Sequence, residues 1–264
     1  MVYYKSLRRR TRNIKKADQM RNYVKVKVSD LPTTIVEQRQ LSDNFWKEHI
    51  LSYLQTYYKE TSNDEIAKII EREEKKKQAK IETGIKKHIK KWFRNNFKFY
   101  NEGFILNDEP SSEGSIEGFY DFKIEHSFWN FTKTYFPFEC KNLGKSTLLN
   151  EYVFIETKDR IDGGMYRYII DKYAVNQTFG GMIGFVIHKT EKPIIEQLIK
   201  KIEKKYTSIE TGKLSGNKIV KNSIFGNKNS FNSIHRKTNS EKEFVIHHII
   251  MDFVNDIVEE SIFR

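Results

Sequence analysis

Apolar side chains recur along this chain with two periods, and each period predicts a different kind of element. Apolar residues three and four positions apart share one face of a helix. This spacing predicts helices over residues 35–59, 64–80, 79–97, 165–174 and 193–206, and a short one between residues 145 and 157. The third is expected either as a separate helix or as a continuation of the second. Residues 62–65 have the form of a capping box, which predicts the start of a helix.

Alternating and continuous apolar runs predict the strands. In chain order, the strands are expected at residues 24–28, 116–125, 135–144, 182–187, 230–236 and 243–251. The run at 182–187 is almost entirely apolar, which is typical of a central strand covered on both faces. Residues 101–118 and 207–229 are rich in Gly, Ser and Asn and are expected to be loops, and a further helix is expected at the end of the chain.

The order of these elements favours one fold class. Helices come first, then a hairpin, a helix, a strand, a helix and a second hairpin. This order predicts an α/β (α+β) fold, in which a mixed central sheet is flanked by helices on both faces. A chain of 264 residues fits one large domain, or one domain with an appendage.

The charge balance narrows the choice of partners. The formal net charge is +12, which favours polyanionic partners, above all nucleic acid. A soluble protein that is merely rich in lysine is equally consistent with it. The single cysteine, Cys140, excludes an internal disulfide and a cysteine-based zinc site, and this predicts a reducing, cytoplasmic location. No signal peptide and no apolar run long enough to span a membrane are found, so no membrane partner is expected.

The first 27 residues are strongly basic, with tyrosines interleaved. Arg8, Arg9 and Arg10 are candidates for contacts with nucleic-acid phosphates. A solvated N-terminal arm without a partner is the alternative reading.

Candidate chemistry lies on the predicted hairpin of residues 116–144. Because side chains on a strand alternate between faces, Glu139 and Lys141 are expected on one face, and Phe138 and Cys140 on the other. Asp121 lies on the strand before them. Two acids and a lysine on apolar strands are costly to bury unless they pair with each other or with a metal. The hairpin therefore predicts either an ion pair within the sheet or a metal site.

The residues of this hairpin resemble a known family. Gly118-Phe119-Tyr120-Asp121 and Phe138-Glu139-Cys140-Lys141-Asn142-Leu143 are similar to the motifs of the PD-(D/E)xK nucleases, the restriction-endonuclease-like superfamily. The resemblance covers about residues 79–188, and Tyr120 stands where many members have proline. The stretch from Met165 to Ala174, followed by Gly180-Gly181, is similar to small bacterial nucleases of this superfamily, several of which are associated with defence against phage.

The resemblance implies a site and a cofactor. Asp121, Glu139 and the backbone carbonyl of Cys140 would hold Mg²⁺, with Mn²⁺ as a substitute. Lys141 would orient or deprotonate the attacking water and stabilise the transition state. Glu82, which lies on the apolar stripe of the helix at 79–97, resembles the first-helix acid that many members add to the metal site.

Three further residues are candidate contacts for phosphate. Arg167 and Lys172 lie on the helix after the hairpin, and Asn142 follows Lys141. Arg167 is as well explained as a surface or salt-bridging residue. The histidines of the C-terminal hairpin lack cysteine partners and zinc-site spacing, so they are read as strand residues; they are His235, His247 and His248.

Together, these features predict a Mg²⁺-dependent phosphodiesterase, an endonuclease with DNA favoured over RNA, with a role in bacterial antiphage defence. Residues 1–61 would form a basic, mainly helical extension that grips nucleic acid or a partner, and residues 62–264 the nuclease-like domain. A homodimer or a subunit of a regulated defence complex is expected. The alternatives are a non-catalytic nucleic-acid-binding or assembly subunit on the same fold, and a metal-dependent phosphoesterase that acts on small nucleotides.

Overall fold

The computed structural model describes residues 35–112, 118–129, 133–159, 161–190, 192–207, 214–221, 228–238 and 242–254. Arg8, Arg9 and Arg10, the strand expected at residues 24–28 and the helix expected at the end of the chain lie outside these residues. The chain divides into two compact units, residues 1–45 and 46–264. The boundary expected after residue 61 stays a prediction.

Seven helices are described. They are α1 (Ile35–Glu60), α2 (Asn63–Glu74), α3 (Ile81–Arg94), α4 (Phe97–Asn101), α5 (Ser146–Val153), α6 (Gly164–Ile169) and α7 (Ile194–Lys205). The capping box is confirmed, because the side chains of Ser62 and Glu65 each accept from the other's backbone N–H. Helix α2 ends before the run of lysines at 75–77, which offers no apolar face to bury, so α3 is a separate helix.

Nine strands are described. They are β1 (Phe104–Asp108), β2 (Phe122–His126), β3 (Phe136–Leu143), β4 (Ile155–Glu156), β5 (Ile161–Asp162), β6 (Phe179–Val186), β7 (Leu214–Lys221), β8 (Ser230–Arg236) and β9 (Glu243–Asp252). Strands β4 and β5 form a two-stranded sheet. The other seven form one sheet in the order β1-β2-β3-β6-β9-β8-β7, in which β6 runs parallel to β3 and β9 and the remaining pairs are antiparallel.

Two of these strands lie where loops were expected. Strand β1 falls within residues 101–118 and β7 within residues 207–229, so both loop predictions were wrong over these stretches. The two are the edge strands of the sheet. An edge strand has one neighbour and needs few apolar residues, so its sequence carries a weak pattern. Both hairpins and the central strand β6, whose every residue is buried, are confirmed.

Helices cover both faces of the large sheet. The first apolar cluster joins buried residues of α1–α4 to one set of strand side chains, which includes Cys140, Ile183 and Phe185. The second joins α5, α6 and α7 to the alternate set, which includes Met182 and Val186. The fold is therefore the mixed α+β class predicted from the sequence. No helix among the described residues is long and apolar enough to cross a bilayer.

Gly181 of β6 is expected to tolerate no side chain. A Cβ atom added there would lie 2.4 Å from the ring of Phe138, which is fully buried and stacked on Phe122. We expect Gly181→Ala to lower the free energy of unfolding by about 2 kcal/mol, measured by urea denaturation, because the ring cannot rotate away. Gly184→Ala is the control on the same strand. Its nearest atoms are the terminal methyls of Leu143 and Ile250, which can shift, so a larger loss for Gly184→Ala would contradict this reading.

Candidate active site

The site lies where β3 extends beyond its pairing with β2. The pairing of β2 with β3 ends at Phe122 and Phe138, whereas β3 continues to Leu143. The prediction that Asp121 lies on the first strand of the hairpin was wrong by one residue, because β2 begins at Phe122 and Asp121 lies immediately before it. Its backbone N–H donates to the carbonyl of Phe138 at 3.1 Å, and its Oδ2 accepts from the backbone N–H of Cys140 at 2.6 Å. The carboxylate of Asp121 thus covers the edge of β3 that β2 leaves open.

The alternation along β3 places the next residues as predicted. Cys140 is fully buried in the first apolar cluster, and Glu139 and Lys141 point to the opposite face. The side chain of Glu139 is only 2% exposed. Its Oε1 accepts from Lys141 Nζ at 2.7 Å and from Arg167 Nη1 at 2.7 Å. Within the described part of the chain, no hydrogen bond reaches its Oε2.

Helix α3 brings an acid and a base to the same place. Glu82 Oε1 lies 3.8 Å from Lys141 Nζ and 3.6 Å from Lys86 Nζ, so both ammonium groups are near it but neither is hydrogen-bonded. Lys86 Nζ donates to Asp121 Oδ1. Glu82 and Lys86 are one helical turn apart, which puts them on one face of α3. The four predicted site residues Glu82, Asp121, Glu139 and Lys141 are therefore brought together.

Arg167 of α6 contacts two of the acids, Glu139 and Asp162. Its guanidinium makes two bonds to Asp162, Nε to Oδ1 and Nη2 to Oδ2, both at 2.8 Å. It also reaches Glu139 and, at 3.2 Å, the hydroxyl of Tyr173. We call the seven charged residues the acid–base cluster; they are Glu82, Lys86, Asp121, Glu139, Lys141, Asp162 and Arg167. With every group ionised, four carboxylates face three basic side chains, so the cluster carries one excess negative charge.

Burial and pairing shift the pKa values in the cluster. Burial raises the pKa of the Glu82 and Glu139 carboxyls, against the attraction of Lys141. Burial by itself lowers the pKa of Lys141, but the carboxylates of Glu139, Glu82 and Asp121 together raise it above its ordinary value. Lys141 is therefore an ammonium at neutral pH in this arrangement. In this form it can donate a hydrogen bond and stabilise negative charge.

The prediction that Lys172 lies on the same helix as Arg167 was wrong, because α6 ends at Ile169. Lys172 lies beside Gly118, where an added Cβ would be 2.7 Å from its Cε. Asn142 Oδ1 is buried and has no hydrogen-bond partner among the described residues. Their contacts with phosphate stay predictions. His248 and His235 both bond to Ser233 Oγ at 2.8 Å, and His248 also bonds to Tyr152 at 2.8 Å, as expected of strand histidines.

Two members of the cluster were not predicted from the sequence. Lys86 is four residues from Glu82 on a helix with many lysines, and only its place beside the apolar stripe could have marked it. Asp162 belongs to an Asp-Gly-Gly stretch that reads as a turn. It pairs with Arg167, five residues later, across the Gly163-Gly164 step that joins β5 to α6.

The donors suit a divalent cation, but they are not yet arranged around one. Among the described residues, no group of three His, Cys, Asp or Glu side chains is placed to hold a metal ion. Oxygen atoms of Glu139, Cys140 and Glu82 instead surround the ammonium of Lys141, at 2.7, 3.0 and 3.8 Å. Carboxylate and carbonyl oxygens are the ligands that Mg²⁺ and Mn²⁺ accept. The ammonium of Lys141 therefore lies among oxygens of three residues that the resemblance assigns to the metal, and it is hydrogen-bonded to two of them.

Comparisons of this chain with protein-family models, with curated proteins and with solved structures found no match. The resemblance to the PD-(D/E)xK nucleases thus rests on the motif residues and their placement.

Proposed function

We propose that this protein is a Mg²⁺-dependent nuclease that hydrolyses phosphodiester bonds of nucleic acid. The observation that carries the proposal is the convergence of Glu82, Asp121, Glu139 and Lys141. These residues come from a helix, a loop end and a strand, and they meet where β3 extends beyond its pairing with β2. A buried group of like-charged carboxylates is costly to maintain, and such costs are typically retained at functional sites.

The chemistry follows from the positions of the side chains. When bound, a divalent cation would neutralise phosphate charge and activate a water molecule. Glu139 Oε2, Glu82 and the Cys140 carbonyl offer oxygens to it, with Asp121 completing the set. Lys141, once released from Glu139, would donate to the phosphate and stabilise the charge that develops there. Arg167 fixes the orientation of Glu139 by donating a hydrogen bond to its other oxygen, Oε1.

The decisive experiment is a cleavage assay with the full chain. Plasmid, linear and single-stranded DNA, and RNA, are incubated with Mg²⁺ or with EDTA. We expect cleavage of at least one substrate in Mg²⁺, none in EDTA and none by Asp121→Asn, because the amide loses the negative charge that holds the cation. Asp64→Asn, an exposed position on α2, is the matched control and should cleave normally. Cleavage by Asp121→Asn at the rate of the unchanged protein would refute the proposal.

The second candidate is a non-catalytic nucleic-acid-binding or assembly subunit. Each of the four carboxylates of the cluster has an ammonium or guanidinium group near it. This arrangement favours the second candidate, because an ion-pair network with only a structural role would have the same contacts. Binding that falls steeply with salt, without cleavage in Mg²⁺ or Mn²⁺, would support this candidate. Mononucleotides in the same assay test the phosphoesterase alternative.

The wider role is proposed on the resemblance and the composition. A preference for DNA, antiphage defence, and a homodimer or regulated complex follow from the similarity to small bacterial nucleases. A cytoplasmic location follows from the single cysteine.

A further inference from the structure

Lys86 is a buried lysine whose charge is balanced by Asp121. Its side chain is 10% exposed, on a helix whose next residue, Lys87, is exposed. Its Nζ donates to Asp121 Oδ1 and lies 3.6 Å from Glu82 Oε1. A lysine is costly to bury without a partner. The pairing with Asp121 therefore explains why Lys86 turns inward.

The pairing leaves each oxygen of Asp121 with one hydrogen-bond donor. Oδ1 accepts from Lys86, and Oδ2 accepts from the backbone N–H of Cys140. The backbone bond fixes the carboxylate in place, so the bond to Lys86 is the one that can be exchanged. Glu139 differs, since both of its basic donors bond to Oε1. The obstacle to a divalent cation at Asp121 is thus the ammonium of Lys86.

A displaced Lys86 has a second acceptor within reach. Glu82 lies one turn earlier on the same helix, and neither ammonium near it is within hydrogen-bond distance. A short rotation of the Lys86 side chain from Asp121 toward Glu82 keeps the ammonium paired. Glu82 has two carboxylate oxygens, so it can accept from the displaced Lys86 with one and offer the other to a cation.

We propose that Lys86 is a positioning residue that acts as a resident counter-cation. It holds Asp121 in place before the metal binds, and it competes with the metal for Oδ1. The ammonium of Lys86 thereby sets the divalent-cation concentration at which the site fills. This inference rests on the proposed function, of which it is a refinement.

The test is a measurement of Mn²⁺ binding, which does not depend on cleavage. Mn²⁺ is titrated into the full chain by calorimetry. We expect Lys86→Met to bind Mn²⁺ about tenfold more tightly than the unchanged protein, since one neighbouring charge typically shifts a carboxylate equilibrium by about one pKa unit or more. Methionine keeps most of the length and the apolar contacts of the lysine. Lys86→Arg, which keeps the charge, should bind Mn²⁺ no more tightly than the unchanged protein. Lys87→Met, the control at an exposed position, should bind Mn²⁺ with the affinity of the unchanged protein.

Thermal unfolding provides a second reading. In EDTA, Lys86→Met should melt below the unchanged protein because Asp121 loses its partner, and Mn²⁺ should raise its melting temperature by the larger amount. If Lys86→Met does not fold, Lys86→Gln replaces it in both measurements. Mn²⁺ binding by Lys86→Met that is equal to or weaker than that of the unchanged protein would overturn the inference, as would absence of Mn²⁺ binding by both. Tighter binding without cleavage of any substrate would refute the nuclease and leave the role of Lys86 standing.

Discussion

Lys141→Ala is expected to lower divalent-dependent cleavage by about 10²- to 10³-fold, the loss that follows when one donor to a developing negative charge is removed. Lys141 is the basic residue of the cluster that lies on β3. Its Nζ donates both to Glu139 Oε1 and to the carbonyl oxygen of Cys140. On the proposed function, it would therefore be placed to donate to a phosphate that a bound cation would hold. Initial rates are measured at saturating Mg²⁺ on the best substrate from the panel.

A merely structural Lys141 would behave differently. Its ammonium occupies the space between three oxygens that could otherwise hold a cation. If Lys141 is catalytic, Lys141→Ala should therefore leave the affinity for Mn²⁺ unchanged or stronger, while the rate of cleavage falls. If Lys141 serves only to hold Glu139 in place, metal affinity and cleavage should fall together, and this outcome would contradict its catalytic role. Lys200→Ala, at an exposed position on α7, is the control for the loss of one lysine.

Sequence patterns predicted the centre of the sheet better than its edges, for a physical reason. Strand β6 is covered on both sides by other strands and on both faces by helices, so almost every residue of β6 had to be apolar. Strand β1 has one neighbour, and a run of three apolar residues after Gly103 was enough to form it. Predictions of this kind are strongest where the most neighbours constrain each residue.

The site follows the same logic. That Asp121, Glu139 and Lys141 lie close together could be predicted because charged residues within or next to apolar strands conflict with their surroundings. Glu82 could be predicted because it lies on an apolar stripe. Lys86 was missed because a lysine on a lysine-rich helix conflicts with nothing locally, and its burial depends on Asp121, 35 residues later. The partner of a charged residue is decided by tertiary packing, which sequence patterns do not carry.

Arg167 illustrates this with a large expected effect on stability. It was a candidate for contact with phosphate, but its guanidinium is committed to Asp162, Glu139 and Tyr173. We expect Arg167→Ala to lower the free energy of unfolding by about 3 kcal/mol, measured by urea denaturation, because it leaves Glu139 and Asp162 without this partner. Arg167→Lys should also destabilise, since an ammonium cannot make the paired bonds to Asp162.

The comparison with a surface arginine separates the two roles of Arg167. Arg94 pairs with Asp108 at 2.9 Å, but its side chain is 57% exposed, so Arg94→Ala should cost at most about 1 kcal/mol. A double-mutant cycle of Arg167→Ala with Asp162→Asn should give a coupling energy of about 1–3 kcal/mol, because each residue supplies the other's bonds. If Arg167 instead serves to bind phosphate, its substitution should leave the urea midpoint unchanged and weaken nucleic-acid binding. That result would place the guanidinium in the substrate interface, and the cluster would then need another cation to balance Glu139.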